Sequence, residues 1–252
     1  MANRNIALVT GGSRGIGRST VLGLADRGVD SIFTYRVARE RADEVVVLAE
    51  HAAPERCRLQ LDAGEVGRFE AFARTVRETL AALGTDRFDY LVNNAGPSSN
   101  VGLVDAKEQD VDAQYTVHFK GVLFLTQALL PLMRDGGRIV NVSSALARLA
   151  SRNRVAYGPM KAAVESLTRY MALELSPRRI TANTVTPGAT ATDFGGGIVR
   201  DNPEMNKLIV DNTALGRVGL PDDVGRVIAA VLSDDFGWVN GQRIEASGGV
   251  VL

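Results

Sequence analysis

The chain predicts an α/β fold, a parallel sheet of about seven strands covered by helices on both faces. Three observations lead there. Short apolar runs alternate with helix-length periodic stretches along all 252 residues. The apolar runs are near-continuous rather than alternating, as in strands buried on both sides. The first run empties into a glycine-rich turn followed at once by a helical pattern.

Each element has its own signal. Ile6–Thr10 is the first strand, ending in Gly-Gly-Ser. Gly15–Arg27 reads as a helix with Ile16, Leu22, Leu24 and Ala25 inward. Ser31–Tyr35 is the second strand, Arg39–Ala52 a helix and Arg58–Leu61 a short third strand. Glu65–Leu83 carries Phe69, Phe72, Val76 and Leu80 at helical spacing. Phe88–Val92 is the fourth strand and runs into Asn-Asn-Ala-Gly. A helical region extends from about Asp110 to Arg134, with Pro131 near its end. Gly137–Val142 is the fifth strand, Val155–Leu175 a helix, Ile180–Thr186 the sixth strand, and Ile244–Ala246 lies in a seventh. Thr190–Ala214, with its Gly195-Gly196-Gly197 run and Asp201-Asn202-Pro203, reads as a long connection. Connections of that length tend to be functional or mobile, so a lid hinged on the glycines is expected at 190–214. No repeat, linker or charged block interrupts 1–252, so one domain is expected.

Composition narrows the function. Lys+Arg and Asp+Glu balance at 29 each, which gives no electrostatic footprint for nucleic acid or a membrane surface. Cys57 is the only cysteine, so no intrachain disulfide can form, and it reads as a small buried apolar residue. His51 and His118 are far apart in sequence, and no metal-ligand cluster is visible. The N-terminus lacks a signal peptide's apolar stretch, and no run is long enough to span a bilayer. A cytoplasmic protein is expected.

The turn Thr10-Gly11-Gly12-Ser13-Arg14-Gly15-Ile16-Gly17 joins the first strand to the first helix. Glycines there allow a tight turn and close approach of backbone to a pyrophosphate. The helix N-terminus behind them offers free N–H groups and a positive dipole. The turn lacks the Gly-Lys-Ser/Thr ending of an NTPase loop, which argues against ATP or GTP hydrolysis. The second strand ends at Thr34-Tyr35-Arg36. Asp30 precedes that strand and reads as a turn residue, not a ribose ligand. Arg36 and Arg14 either bind a 2′-phosphate or are ordinary solvated arginines; together, with no competing carboxylate, they favour NADP(H) and leave NAD(H) possible.

Tyr157 and Lys161 are four residues apart, thirteen residues after Ser143-Ser144. Residues i and i+4 share one helix face, so an ammonium can lie beneath a phenol. A free tyrosine has a pKa near ~10, and reaching roughly 7 takes about 4 kcal/mol of differential stabilisation. A phenol so poised can give a proton to a substrate oxygen or take one from it. The pair alone is common and also fits a half-buried aromatic beside a solvated lysine.

With its neighbours, the pair carries a full-length resemblance. The glycine turn Thr10–Gly17, Asp62 after the third strand, Asn93–Gly96, Ser144, Tyr157 with Lys161, Pro187-Gly188 with Thr192, and the tail Gly241-Gln242…Gly248-Gly249 resemble the short-chain dehydrogenase/reductase family in order and spacing. Within it, the chain is similar to carbonyl reductases of the 3-oxoacyl-(acyl-carrier-protein) type. The resemblance implies a three-layer α/β/α Rossmann-like sandwich on a doubly wound sheet. It implies hydride transfer between NADP(H) and a carbonyl or secondary alcohol, and a homotetramer or homodimer. Tyr157 is then the general acid or base and Ser144 a donor to the carbonyl oxygen. Lys161 holds the nicotinamide ribose and lowers the Tyr157 pKa. Gly11, Ser13, Arg14, Gly15, Ile16, Gly17, Tyr35, Arg36, Asp62, Asn93, Ala95, Gly96, Tyr157, Lys161, Pro187, Gly188 and Thr192 are the expected cofactor contacts. With Pro159 confined to a first helical turn, the helix should begin just before Tyr157.

His118 stands where the family has an asparagine whose main-chain carbonyl holds a water linked to the lysine. Two readings stay open. Either His118 is a buried residue satisfying backbone at a helix kink, or it titrates and joins a proton relay as a fourth catalytic residue. The substrate pocket should gather Gly96-Pro97-Ser98, Ala145–Leu149, Ala189 and the 190–214 segment; Arg148, Arg152 and Arg154 either recognise an acidic substrate or, the favoured reading, lie on the surface. The alternative to a reductase is a dinucleotide-binding regulator or scaffold with little turnover. Sugar-nucleotide epimerases share the tyrosine–lysine chemistry but usually carry a larger C-terminal substrate region.

Overall fold

The computed structural model describes residues 5–49 and 58–252. Among them, seven parallel strands form one sheet: β1 Ile6–Val9, β2 Asp30–Tyr35, β3 Arg58–Gln60, β4 Phe88–Asn93, β5 Met133–Val142, β6 Thr181–Pro187 and β7 Arg243–Ala246. Their order is β3-β2-β1-β4-β5-β6-β7. The order reverses between β1 and β4, which opens a crevice at the C-terminal strand ends. The helices are α1 Gly15–Ala25, α2 Arg39–Leu48, α3 Phe69–Ala82, α4 Glu108–Tyr115, α5 Val122–Leu129, α6 Gly158–Glu174, α7 Ile198–Asp201, α8 Pro203–Asp211 and α9 Pro221–Val231.

Alternation along the strands assigns two cores. Ile6 and Leu8 of β1 pack with Phe72, Val76 and Leu80 of α3, Leu125 and Leu129 of α5, and Met171 of α6. Ala7 and Val9 face the other way, onto Val21 and Leu24 of α1, Val45 of α2, and Val224 and Ile228 of α9. Helices on both faces explain why the strands are apolar throughout.

The structure corrects several expectations. In α1 the buried positions are Gly17, Ser19, Thr20, Val21, Gly23 and Leu24, while Ile16, Leu22 and Ala25 are half-buried. The cause is α9 on its outer side: a Cβ on Gly225 would stand 2.4 Å from Ser19 Oγ, so small residues set this contact. Asp30 opens β2, paired with Ile6, instead of preceding it. That end of the strand lies far from the crevice, so its exclusion as a ribose ligand stands. The Asp110–Arg134 region is broken by a π-helical turn, Thr116–Gly121, and closes at Leu130–Leu132 around Pro131. Met133 already pairs with Phe88 in β5. Helix α6 starts at Gly158 with Tyr157 as N-cap and proline in the first turn, a residue after the expected start and three after Val155. The 190–214 segment is largely helical: α8 starts on an Asn202 cap, whose Oδ1 accepts from Met205 N at 2.8 Å. No helix was expected at α9, although Pro221 sits in its first turn and Asp223 accepts from the Leu220 amide. His51, Ala52 and Cys57 lie outside the described residues.

Candidate active site

The crevice begins at the glycine turn. Gly11 N donates to Thr34 Oγ1 at 3.0 Å and Gly12 N to Thr34 O at 2.9 Å, tying the turn to β2. A Cβ on Gly17 would lie 2.2 Å from Gly11 O, so only glycine lets helix and turn close up there. No side chain caps the N-terminus of α1 at Arg14. Its first-turn amides therefore stay available to an anion. Arg14 and Arg36 are exposed, and neither meets a carboxylate among the described residues. Tyr35 ends β2, and Asp62 follows β3, where its Oδ1 accepts from Gly64 N at 2.9 Å. These features fit a dinucleotide: a close-approach turn, open amides, and cations beside the ribose strand.

Across the switch point, Asn94 Nδ2 donates to Thr10 O at 2.9 Å and Gly11 O at 3.2 Å. Asn94 N and Ala95 N both donate to Thr10 Oγ1. Asn94 and Thr10, present in the sequence motifs but not among the expected cofactor contacts, thus organise the crevice. The Asn93 side chain turns inward, donating to Thr126 Oγ1 at 3.1 Å and Asn141 Oδ1 at 2.8 Å. Only its backbone remains for a cofactor. Pro187 ends β6. Gly188 owes its lack of a Cβ to the tail behind it, since one would stand 2.9 Å from Ser247 Cα.

The catalytic candidates converge. Tyr157 is 5% exposed and Lys161 6%. Lys161 Nζ donates to Val142 O at 2.8 Å and lies 5.6 Å from the Tyr157 ring centroid. Ser144 stands close enough to Tyr157 to pull its pKa down, and its Oγ accepts from Leu146 N at 3.2 Å. Ser143 instead turns away to Glu165 Oε1 at 2.8 Å and Lys161 O at 3.2 Å. The expected lowering of Tyr157 by Lys161 is overturned for the cofactor-free site. Burial pushes the phenol up to about 12, against smaller opposing pulls from Ser144 and the Arg154 charge. Burial also drives the Lys161 amine down to about 7. Low dielectric disfavours both charged forms, and here it outweighs their proximity.

His118 sits in the π-helical turn, 2% exposed, its ring edge-on to Tyr157 with centroids 5.2 Å apart. Its Nε2 donates to Pro97 O at 2.8 Å. Burial, with Lys161 nearby, lowers its pKa to about 3. It is a neutral imidazole near pH 7, which favours the backbone-satisfying reading over the relay. Gly96 is moulded around it: a Cβ there would stand 2.1 Å from His118 Cε1.

Three successive residues of the 190–214 segment touch three parts of the site. Thr192 packs on Gly15 of the glycine turn, where a Cβ would meet its Cγ2 at 3.4 Å. Asp193 ion-pairs with Arg41 of α2 and, at 2.7 Å, with Arg200. The Phe194 ring lies 5.7 Å from that of Tyr157. Gly195, Gly196 and Gly197 follow, all at positive φ, a conformation that favours glycine. Arg154 is not a plain surface residue: it donates to Ser98 Oγ at 3.1 Å and to the Ser99 carbonyl, and its charge reaches Tyr157. Arg148 pairs with Glu245 at 3.1 Å, and Arg152 is exposed. A cleft of about 560 Å³ is lined by Leu103, Leu146, Leu149, Arg152 and Pro159; of the expected substrate-pocket residues it gathers 146–149 but not Gly96, Pro97, Ser98, Ala189 or the 190–214 segment.

Comparisons with known proteins agree over nearly the whole chain. A family model described as enoyl-(acyl carrier protein) reductase matches residues 11–251. Hydroxynaphthalene reductase-like protein Arp2 of Metarhizium brunneum is 34% identical, with 98% of this chain and 94% of that protein covered. The solved structure of LugOII, described as a promiscuous reductase for keto-reduction at C1 in lugdunomycin biosynthesis, matches at TM-score 0.89 and 36% identity. It covers 98% of this chain and 97% of its own. The angucycline C-6 ketoreductase LanV, solved with bound NADP, matches at TM-score 0.89 and 33% identity, covering 98% and 95%.

Proposed function

The chain belongs to the short-chain dehydrogenase/reductase family, and we propose that it is an NADP(H)-dependent reductase of hydrophobic, ring-containing ketones. The observation that carries this reading is the buried Tyr157 hydroxyl, close enough to Ser144 for that serine to pull its pKa down, with Lys161 one helical turn along α6. NADP in the LanV structure supports the cofactor choice, as do the exposed Arg14 and Arg36.

The cofactor supplies or accepts the hydride and, when oxidised, adds a positive charge beside the phenol. The remaining roles fall to the chain's own residues. Ser144 donates to the substrate carbonyl oxygen as negative charge builds there. Tyr157, held protonated by burial, delivers its proton to that oxygen and reclaims it in the reverse direction. A protonated Lys161 stabilises the phenolate left behind. His118 braces the phenol edge-on as a neutral ring. The 190–214 segment acts as the lid, with Phe194 over Tyr157 and the glycine run as hinge. The matched family model is named for enoyl reduction, whereas the paired Ser144 and Tyr157 hydroxyls suit a carbonyl oxygen.

A homotetramer or homodimer is part of the proposal. Tyr115, Phe124, Tyr170 and Leu173 expose apolar area on α4, α5 and α6, and Trp238 is 99% exposed. Light scattering after size exclusion would return twice or four times the chain mass if this is right. No helix among the described residues is long and apolar enough to cross a membrane. A cytoplasmic setting, resting on the single cysteine, remains a proposal.

The functional reading is tested by following NADPH oxidation against a panel of naphthol-type, angucycline and simple aryl ketones. Turnover on at least one is expected. NADPH binding with no turnover on any would favour the regulator instead.

A further inference from the structure

One carboxylate outside the catalytic set gathers the ends of three strands. Glu165 lies on α6 one turn beyond Lys161, its side chain mostly buried. Its Oε1 accepts from Ser143 Oγ at 2.8 Å, from Thr186 Oγ1 at 3.2 Å and from Arg243 Nε at 3.0 Å. Those donors sit just past the end of β5, on β6 and on β7. Ser143 Oγ also reaches Lys161 O at 3.2 Å.

The network continues around Ser144. Arg243 Nη1 donates to Glu245 Oε2 at 2.5 Å. Glu245 Oε1 accepts from Ser247 Oγ at 2.7 Å and from Arg148 Nη2 at 3.1 Å. Arg148 closes the short turn Ala145–Ala147 that follows Ser144. Ser144 is therefore bracketed: the residue before it is tied to Glu165, and the turn after it is tied to Glu245. Arg243 joins the two carboxylates. Among the catalytic residues, Tyr157 and Lys161 ride on the same helix as Glu165. Charge-assisted hydrogen bonds of this kind are short and directional, and three of them converge on Glu165 Oε1 or join Arg243 to Glu245, leaving Arg243 Nη2 buried without a partner.

We infer that Glu165 is a positioning residue, which clamps the end of β5 to α6 and so fixes Ser144 against Tyr157. The inference rests on the reductase reading of this site. It assigns to Ser143, Thr186 and Arg243 a role that the catalytic motif alone does not require.

Two substitutions separate geometry from charge. Glu165→Gln keeps an acceptor oxygen at the same place and should retain most of kcat. Glu165→Leu removes it and should lower kcat about tenfold or more, since small misplacements of reacting groups are costly. Its KM for NADPH should stay within about twofold, because the glycine turn is untouched. Ser144 lowers the Tyr157 pKa, so in alcohol oxidation the alkaline-rising limb should move to higher pH. Ser143→Ala, a smaller change, should move kcat and the limb the same way and serves if Glu165→Leu does not fold. A folded Glu165→Leu or Ser143→Ala enzyme with wild-type kcat and an unmoved limb, losing only melting temperature, would overturn the inference. A crystal structure of either variant gives a readout independent of turnover. Ser144 displaced from Tyr157 is expected, and Ser144 in place refutes the clamp. If wild type reduces none of the ketones, the functional reading fails, and this structural readout still decides the clamp.

Discussion

Lys161 Nζ lies 5.6 Å from the Tyr157 ring centroid, yet its hydrogen bond runs to the Val142 carbonyl. The lysine is thus held by backbone and carries a burial cost. Its pKa falls from 10.5 to about 7, so between those values the unfolded chain binds more protons and stability rises with pH. Lys161→Met should therefore raise the melting temperature of the cofactor-free protein. The gain should be largest near pH 7 and shrink towards pH 10 while activity falls at least about a hundredfold. Calorimetry at several pH values checks this, and a gap that widens with pH would contradict it.

His118 gives an opposite test at the acid end. Its pKa is lowered from 6.5 to about 3, so stability is lost as pH falls through that window. His118→Asn should flatten this acid dependence and leave the pH–rate profile between about 5 and 8 unchanged. A profile that moves would restore the relay reading.

Gly96 and His118 should be energetically coupled. Gly96→Ala places a methyl group against the imidazole and should destabilise by about 1–3 kcal/mol. In a His118→Ala background the steric part of that cost should vanish, leaving the strain of alanine at a φ of 158°. Denaturant unfolding of the four proteins measures the coupling, and additive effects would show that the contact is not tight.

Much of this was legible beforehand because local chemistry fixes it. The glycine turn, the Ser144–Tyr157–Lys161 spacing and the seven apolar runs each need specific residue types. What escaped depends on tertiary neighbours. Nothing in the sequence around Asn93 says that Thr126 and Asn141 would draw its side chain inward and leave Asn94 at the turn. The phenol's upward shift is set by burial, which residue spacing does not report. By contrast, α9 was readable from Pro221, Asp223 and the Val224/Ile228 spacing.

Cofactor selectivity should turn on Arg36. Arg36→Asp should raise KM for NADPH far more than for NADH, by about tenfold or greater, as loss of a charge-assisted phosphate contact implies. Equal effects on both would remove the 2′-phosphate assignment.

The Arg41–Asp193 pair joins the 190–214 segment to α2. Hydrogen bonds from Arg41 and Arg200 hold the Asp193 carboxyl down at about 2, so the tie is intact at all working pH values. Exposed pairs contribute little. Asp193→Asn should therefore speed NADP⁺ release only about two- to fivefold, an effect that salt reproduces in the wild type. Stopped-flow release rates insensitive to both would exclude a latch.

The most direct test is Tyr157→Phe, which deletes one oxygen beside Ser144. Steady-state ketone reduction by the variant should fall by about 10²–10⁴-fold, with NADPH affinity within a few-fold of wild type by fluorescence titration. Undiminished turnover in a folded, NADPH-binding Tyr157→Phe enzyme would contradict the account.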